Sequence, residues 1–167
     1  MLSIFYDYIV MANPKEWGPV VWKIIHTCCE HLGNNTITLL KNDELNAYKK
    51  FINQIRYVLP CKICKIHYSK HLHNHNKEIQ YDELKQYAKE FFYNIHDSIN
   101  KEKNIVSIPF SSLETTYGKI TKEEFNKLIS EFETLFQKYK LYHFILSETL
   151  RDFLKAIRNL RSSCCWI

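Results

Sequence analysis

The sequence predicts an all-α fold: a helical core followed by a helical C-terminal extension. Three observations carry this. Glycine and proline number only three and four in 167 residues, too few for the tight turns of an all-β chain. Apolar residues recur at three- and four-residue spacing over five segments, and no stretch of any length alternates with period two. Helix start signals precede several of those segments. With 46% hydrophobic and 14% aromatic residues, a chain of this length can bury one real core.

The first helix opens at Asn13-Pro14-Lys15-Glu16. Asn13 can accept a backbone N–H, Pro14 suits the first helical position, and Glu16 would complete a capping box. Trp17, Val21, Ile24, Ile25, Cys28 and Leu32 then share a stripe. A second helix is predicted from about Asp43, with Leu45, Tyr48, Ile52, Ile55 and Leu59 on one face. Pro60 ends it and starts a short third helix, LPCKICKIHYSKHL.

After the polar HNHNKE loop a fourth helix begins near Asp82, with Leu84, Tyr87, Ala88, Phe91, Phe92, Ile95 and Ile99 on its apolar face. Pro109 and Gly118 mark a loop. Thr121 and Glu124 then form a capping box for a stretch running from Phe125 through Tyr139 to Leu160. One helix of that length would be unusual, so a break is predicted near Ser147. The chain therefore divides into an N-terminal appendage (1–12), a helical domain (13–104) and a helical extension (105–167). No internal repeat is visible.

The net charge of +5 is spread among Lys/Glu pairs, which describes a solvated surface rather than a nucleic-acid face. Six cysteines fall in three close pairs, Cys28–Cys29, Cys61–Cys64 and Cys164–Cys165, unlike the dispersed framework of a small secreted disulfide protein. The N-terminus lacks a basic leader region, and Asp7 interrupts its short apolar run. Neither a secretory signal nor a membrane span is expected, and the cytoplasm is the default compartment. Met11 could be an alternative start.

Cys61-x-x-Cys64 is followed by His67 and His71. In number these four could bind zinc, but ligands on one short helix cannot surround an ion. The redox reading has local support. Pro60 at the helix start puts both cysteines in the first turn, where free N–H groups and the helix dipole favour an anion. Lys62 and Lys65 add positive charge, and a thiolate is the species that exchanges disulfides. The third reading is a pair of ordinary structural cysteines. The segment alone leaves all three open. A thioredoxin-type domain would need strands, so a helical redox protein needs a bound cofactor as electron acceptor.

Trp22, His26 and Cys29 lie on one helical face and could line a flat ring system, although tryptophan and histidine on apolar helices are commonly core. His96 and Asn100 are one turn apart, where Asn is also a common cap. Taken in order, these stretches resemble the Erv/ALR family of FAD-dependent sulfhydryl oxidases. The family's Trp-x-x-x-His helix, Pro-Cys-x-x-Cys and His-Asn-x-Val-Asn find counterparts in Gly18-Pro19…Trp22…His26, Pro60-Cys61…Cys64 and His96-Asp97-Ser98-Ile99-Asn100. The resemblance covers 13–104 and is most like short members encoded by large DNA viruses.

The resemblance implies a four-helix bundle plus a short fifth helix, with FAD at the bundle mouth and two copies paired as a homodimer. Trp22, His26, His96, Asn100, Lys101, His67 and Tyr68 would surround the cofactor, and Cys29 could lie near it. Cys61 would take electrons from a reduced protein dithiol, such as a thioredoxin-like or viral redox protein. Cys64 would pass them to the flavin, and O₂ would become hydrogen peroxide. Cys164 and Cys165 are candidate shuttle cysteines in the tail RSSCCWI, with lipidation or no role as the alternative. Pro19 stands where the family has arginine, Asp97 where it has asparagine, and Tyr93 where cellular members have a bridging cysteine. The competing functions are a zinc module using Cys61, Cys64, His67 and His71, and an interaction protein whose C-terminal helices dock a partner.

Overall fold

The computed structural model describes residues 12–75 and 78–166, so most of the N-terminal appendage and Met11 lie outside the described residues. Six α-helices follow one another: α1 Pro14–Glu30, α2 Thr38–Val58, α3 Lys62–Asn74, α4 Leu84–Glu102, α5 Lys122–Leu141 and α6 Ser147–Ser163. Short helical turns at Tyr81–Glu83, Phe110–Ser112 and Glu114–Gly118 fill the connections. No strand occurs among the described residues, and the fold is all-α.

The local signals mostly place the elements. The Asn13 side chain accepts from Lys15 N, with Pro14 next in line. Thr121 and Glu124 form both bonds of the predicted capping box. The chain breaks between Leu141 and Ser147, as the length of the pattern predicts. Two details differ. α2 begins at Thr38, not Asp43, with no side-chain cap and with Leu39 of its first turn exposed. Glu16 makes no capping box. Its carboxylate accepts instead from Lys138 Nζ at 2.9 Å and Tyr139 OH at 2.8 Å, tying α1 to α5. The Lys138 bond, then Tyr139, holds the Glu16 carboxyl below its usual range.

Side-chain contacts define an up-and-down arrangement. α1 and α4 are antiparallel: Glu30 pairs with Lys89 at 2.8 Å, and His26 meets His96 further along. α2 and α3 form a helical hairpin, with Tyr48 OH 3.1 Å from His75 Nε2 and Tyr68 OH donating to the Ile52 carbonyl at 2.8 Å. The short 31–37 connection reverses the chain into α2, whose buried Glu44 accepts from Gly33 N at 2.7 Å. Gly33 is required there: its φ is +78°, and a Cβ would meet Lys85 at 3.3 Å. One end of the bundle thus gathers the start of α1, the end of α2, the start of α3 and the end of α4.

The C-terminal helices join the same core. α6 lies along α2, with Phe153 against Phe51 and the Ser163 carbonyl accepting from Asn35 Nδ2 at 2.7 Å. Phe125, Phe132, Phe136 and Leu160 are fully or almost fully buried in a hydrophobic cluster that reaches from Ala12 to Trp166. Burying such side chains is the dominant stabilising term for a chain of this size. Among the described residues no helix is long and apolar enough to cross a membrane.

Candidate redox site

Cys61 and Cys64 are joined by a disulfide. Cys61 is the N-cap of α3, and its Sγ accepts from Cys64 N at 3.2 Å. The cap position refines the sequence expectation, which put both cysteines inside the first turn. The sulfurs thus sit where free backbone N–H groups end the helix, and no acidic residue occupies the first turn. A thiolate released by opening the disulfide would be stabilised by that dipole end. Both cysteines are half-buried, with α3 held on its inner side by Tyr68 and on its outer side open to solvent.

His75, at the end of α3, packs on Tyr87 and Phe91 of α4, so an α3 that runs antiparallel to α4 starts toward the bundle end that carries Trp22, His26, His96 and Asn100. Trp22 and His96 stack with ring centroids 4.2 Å apart and planes within 4°. His26 Nε2 lies 3.0 Å from His96 Nδ1, so one imidazole donates and the other accepts. Burial pushes His26 down to about 3 and His96 to about 4. Both rings are therefore uncharged at neutral pH, as a donor–acceptor imidazole pair requires. Tyr117 adds a fourth ring, 5.0 Å from His26.

The end of α4 and the segment after it close a small cavity of about 110 Å³ beside these rings, bounded by His26, His96, Asn100, Ser107 and Tyr117 among others. Asn100 Nδ2 donates to Ser107 Oγ at 3.0 Å. Asp97, at the position of the family asparagine, pairs with Lys101 at 2.6 Å. That bond and Ser107 hold the carboxyl low, while Lys101 is raised in turn. Tyr93 donates to the Ile108 carbonyl at 3.1 Å and thereby fastens the following segment to α4. Sequence reasoning missed Ser107 and Tyr117, which lie in a stretch without helical periodicity.

The remaining candidates are placed as follows. His67 and His71 are exposed on α3. Tyr68 is in the core, and its hydroxyl is raised well above its usual range by burial. Cys28 and Cys29 are buried, and burial raises both thiols far above their ordinary value. Cys164 is buried with its thiol pushed up to about 12, whereas Cys165 is exposed with Sγ 3.5 Å from Asn35 Oδ1. Both belong to the opposite end of the bundle from Cys61–Cys64. Among the described residues no three His, Cys, Asp or Glu side chains gather as a metal site.

Fold and site together define an all-α bundle with a disulfide across the first turn of one helix and a stack of neutral aromatic rings at the same end. Two curated viral proteins are similar to this chain. One, from Acanthamoeba polyphaga mimivirus, is 28% identical over 118 residues, which is 68% of this chain and 80% of the relative. The other, from Invertebrate iridescent virus 6, is 25% identical over 92 residues, 53% of this chain and 79% of the relative. Both are named, by inference, as FAD-linked sulfhydryl oxidases. No family model matches the chain, and no solved structure matches it.

Proposed function

We propose that the protein is an FAD-dependent sulfhydryl oxidase of the Erv/ALR type, which forms disulfides in protein substrates. The observation that carries this reading is the sharing of one bundle end by the Cys61–Cys64 disulfide and the Trp22–His96–His26 ring stack. The viral relatives' names point the same way.

The residues suit a flavin nucleotide in kind. Uncharged stacked rings offer a flat surface for a flat conjugated group, Asn100 offers an amide, and Lys101 a cation for phosphate. The cavity of about 110 Å³ is smaller than the roughly 300–1,000 Å³ of small-molecule sites. It would hold only part of such a group, and the half-exposed rings of Trp22 and His96 would take the rest. Bound FAD would supply a two-electron acceptor able to pass electrons on to O₂ as hydrogen peroxide.

The chain's own chemistry is thiol–disulfide exchange. A substrate thiolate attacks Cys61 Sγ, forming a mixed disulfide and expelling the Cys64 thiolate. The second substrate thiolate attacks the substrate sulfur of that mixed disulfide and expels Cys61. Substrate leaves oxidised by two electrons, and the Cys61–Cys64 pair is left reduced by two. The N-terminus of α3 stabilises each departing thiolate, and Lys62 and Lys65 reinforce it. Cys64 is then the thiol that faces the cofactor. A homodimer belongs to the same proposal, and sedimentation velocity tests it.

Purified protein is expected to show a flavin absorption band and to consume O₂ when dithiothreitol is added. Colourless protein that consumes no O₂ even after incubation with FAD would sink the reading.

A further inference from the structure

The exposed face of α3 is unusual beside a reactive disulfide. Ile63 and Ile66 are 61% and 48% exposed, although they are among the most apolar residues of the chain. Three residues apart, they share a face. Lys70 follows one turn beyond Ile66, and a shallow groove lined by Lys65, Ile66, Ser69, Lys70 and His73 runs along the helix. All of Lys62–Asn74 contains three lysines and no acidic residue. At the adjoining end of α2, Arg56 stacks on half-exposed Tyr57 at 4.6 Å, and its buried Nε has no hydrogen-bond partner among the described residues.

Most lysine-bearing helices here are balanced by acids, as in α5, where Glu123, Glu124, Glu131 and Glu133 accompany its lysines. α3 is not balanced. A surface that leaves isoleucine in water and cations without counter-charges is complementary to apolar and acidic groups together. A second copy fits poorly, because a two-fold contact through this face would set Lys62, Lys65 and Lys70 against themselves.

We infer that the outer face of α3 docks the segment of a substrate protein around its thiols, and that this segment carries an apolar residue flanked by aspartate or glutamate. This rests on the oxidase reading above and adds the substrate class. The apolar residue covers Ile63 and Ile66. The acidic flanks meet Lys65 and Lys70, and bring the substrate thiolate to Cys61 at the head of the same helix. The exchange then proceeds with the balance already given.

The test uses the full-length protein and two reduced Cys-x-x-Cys peptides that differ only in having acidic or basic flanks around a leucine. Labelled versions with serine for cysteine report binding by fluorescence anisotropy, whether or not any oxidation occurs. Tighter binding of the acidic peptide by at least about tenfold is expected, weakening as salt rises from about 50 to about 300 mM. The double variant I66S/K70E should lose most of that preference while oxidising dithiothreitol at the wild-type rate. Equal binding of the two peptides, or a preference that I66S/K70E leaves intact, overturns the inference. So does dissociation of a dimer by the double variant, which would assign the face to a second copy. Failure to oxidise dithiothreitol strikes at the oxidase reading instead, and the anisotropy result still judges the docking face.

Discussion

At one end of the bundle Cys61 caps α3 and Cys64 lies in its first turn, both half-buried, at the end that carries the uncharged rings and unbalanced lysines. At the other end Cys164 is buried with its Sγ on the Arg161 carbonyl, in a tail whose Trp166 stacks on His31 at 3.7 Å and lies beneath Arg161 at 5.0 Å. The Ser163 carbonyl is held by Asn35, and Asn35 in turn by fully buried Glu44. Along α2 these ends are roughly 20 Å or more apart. A close cysteine pair recurs in two settings: bridged at a half-buried helix start in one, and with Cys164 buried and Cys165 exposed in the other. Spacing does not decide this. Helix termini and burial do, because a thiol pushed up to about 12 presents almost no thiolate near neutrality.

The largest effect that sharpens the contrast is on the rate. Cys64→Ser should lower dithiothreitol-driven O₂ uptake by at least about a thousandfold, since it removes one member of the reacting pair. Cys28→Ala and Cys164→Ala should leave that rate within about twofold. A Cys64→Ser protein with undiminished uptake would dissolve the distinction between the ends.

Next in size is the far end's structural role. Glu44 is 0% exposed and accepts from Gly33 N, Asn35 Nδ2 and Tyr81 OH. Glu44→Ala removes the acceptor shared by three donors on exposed or partly buried residues, so water takes up part of the loss, which is roughly 1–3 kcal/mol in all. A fall in Tm of roughly 2–12 °C is expected, with dithiothreitol oxidation unchanged below the transition. An unchanged Tm would mean that water satisfies those donors.

Trp166→Ala removes the stacking on His31 and Phe125 that docks the tail carrying Cys164. A buried tryptophan truncated to alanine costs about 3–5 kcal/mol in a core, and less at a chain end that can undock. Timed alkylation should show Cys164 reacting at least about tenfold faster in the variant. If the tail acts as a shuttle, releasing it should also raise the rate on protein substrates. A rate on protein substrates that stays put while Cys164 becomes labile would place the tail outside the electron path.

How much of this was legible in the sequence follows the range of the interaction. Helices with clean apolar stripes, the Thr121–Glu124 box and the break near Ser147 are local, and the residues alone place them. α2 starts five residues before the Asp43 the pattern indicates, because its first turn has neither a side-chain cap nor a consistent stripe. Glu16 was misassigned because its partner is 122 residues away, and no local pattern distinguishes a capping carboxylate from one reserved for Lys138. At the candidate site, Trp22, His26, His96 and the Cys61–Cys64 pair could be named from the family resemblance. Ser107 and Tyr117 could not, since segment 105–118 is shaped by what it packs against. The docked tail was equally silent: residues 161–166 have no periodicity, and they are held by His31 and Asn35.

The smallest effect concerns protons at the disulfide end. In the unfolded chain an imidazole takes up a proton near pH 6.5, whereas folded His26 holds off until about 3 because it is buried beside His96. Between those values the unfolded state binds more protons, so stability rises with pH and falls on acidification. His26 therefore contributes fully above about pH 6.5 and progressively less as pH drops toward 3. Once well into that window the slope approaches about 1.4 kcal/mol per pH unit. His96 and His75, each lowered to about 4, act in the same direction. His26→Phe keeps a ring against Trp22 and Tyr117 but has no proton to gain, so its urea-derived stability should fall less steeply from pH 7 to pH 5. The expected difference is about 1 kcal/mol by pH 5.5. Identical slopes would show that the imidazole pair is solvated enough to titrate normally, and would remove the uncharged ring stack that separates this end of the bundle from the other.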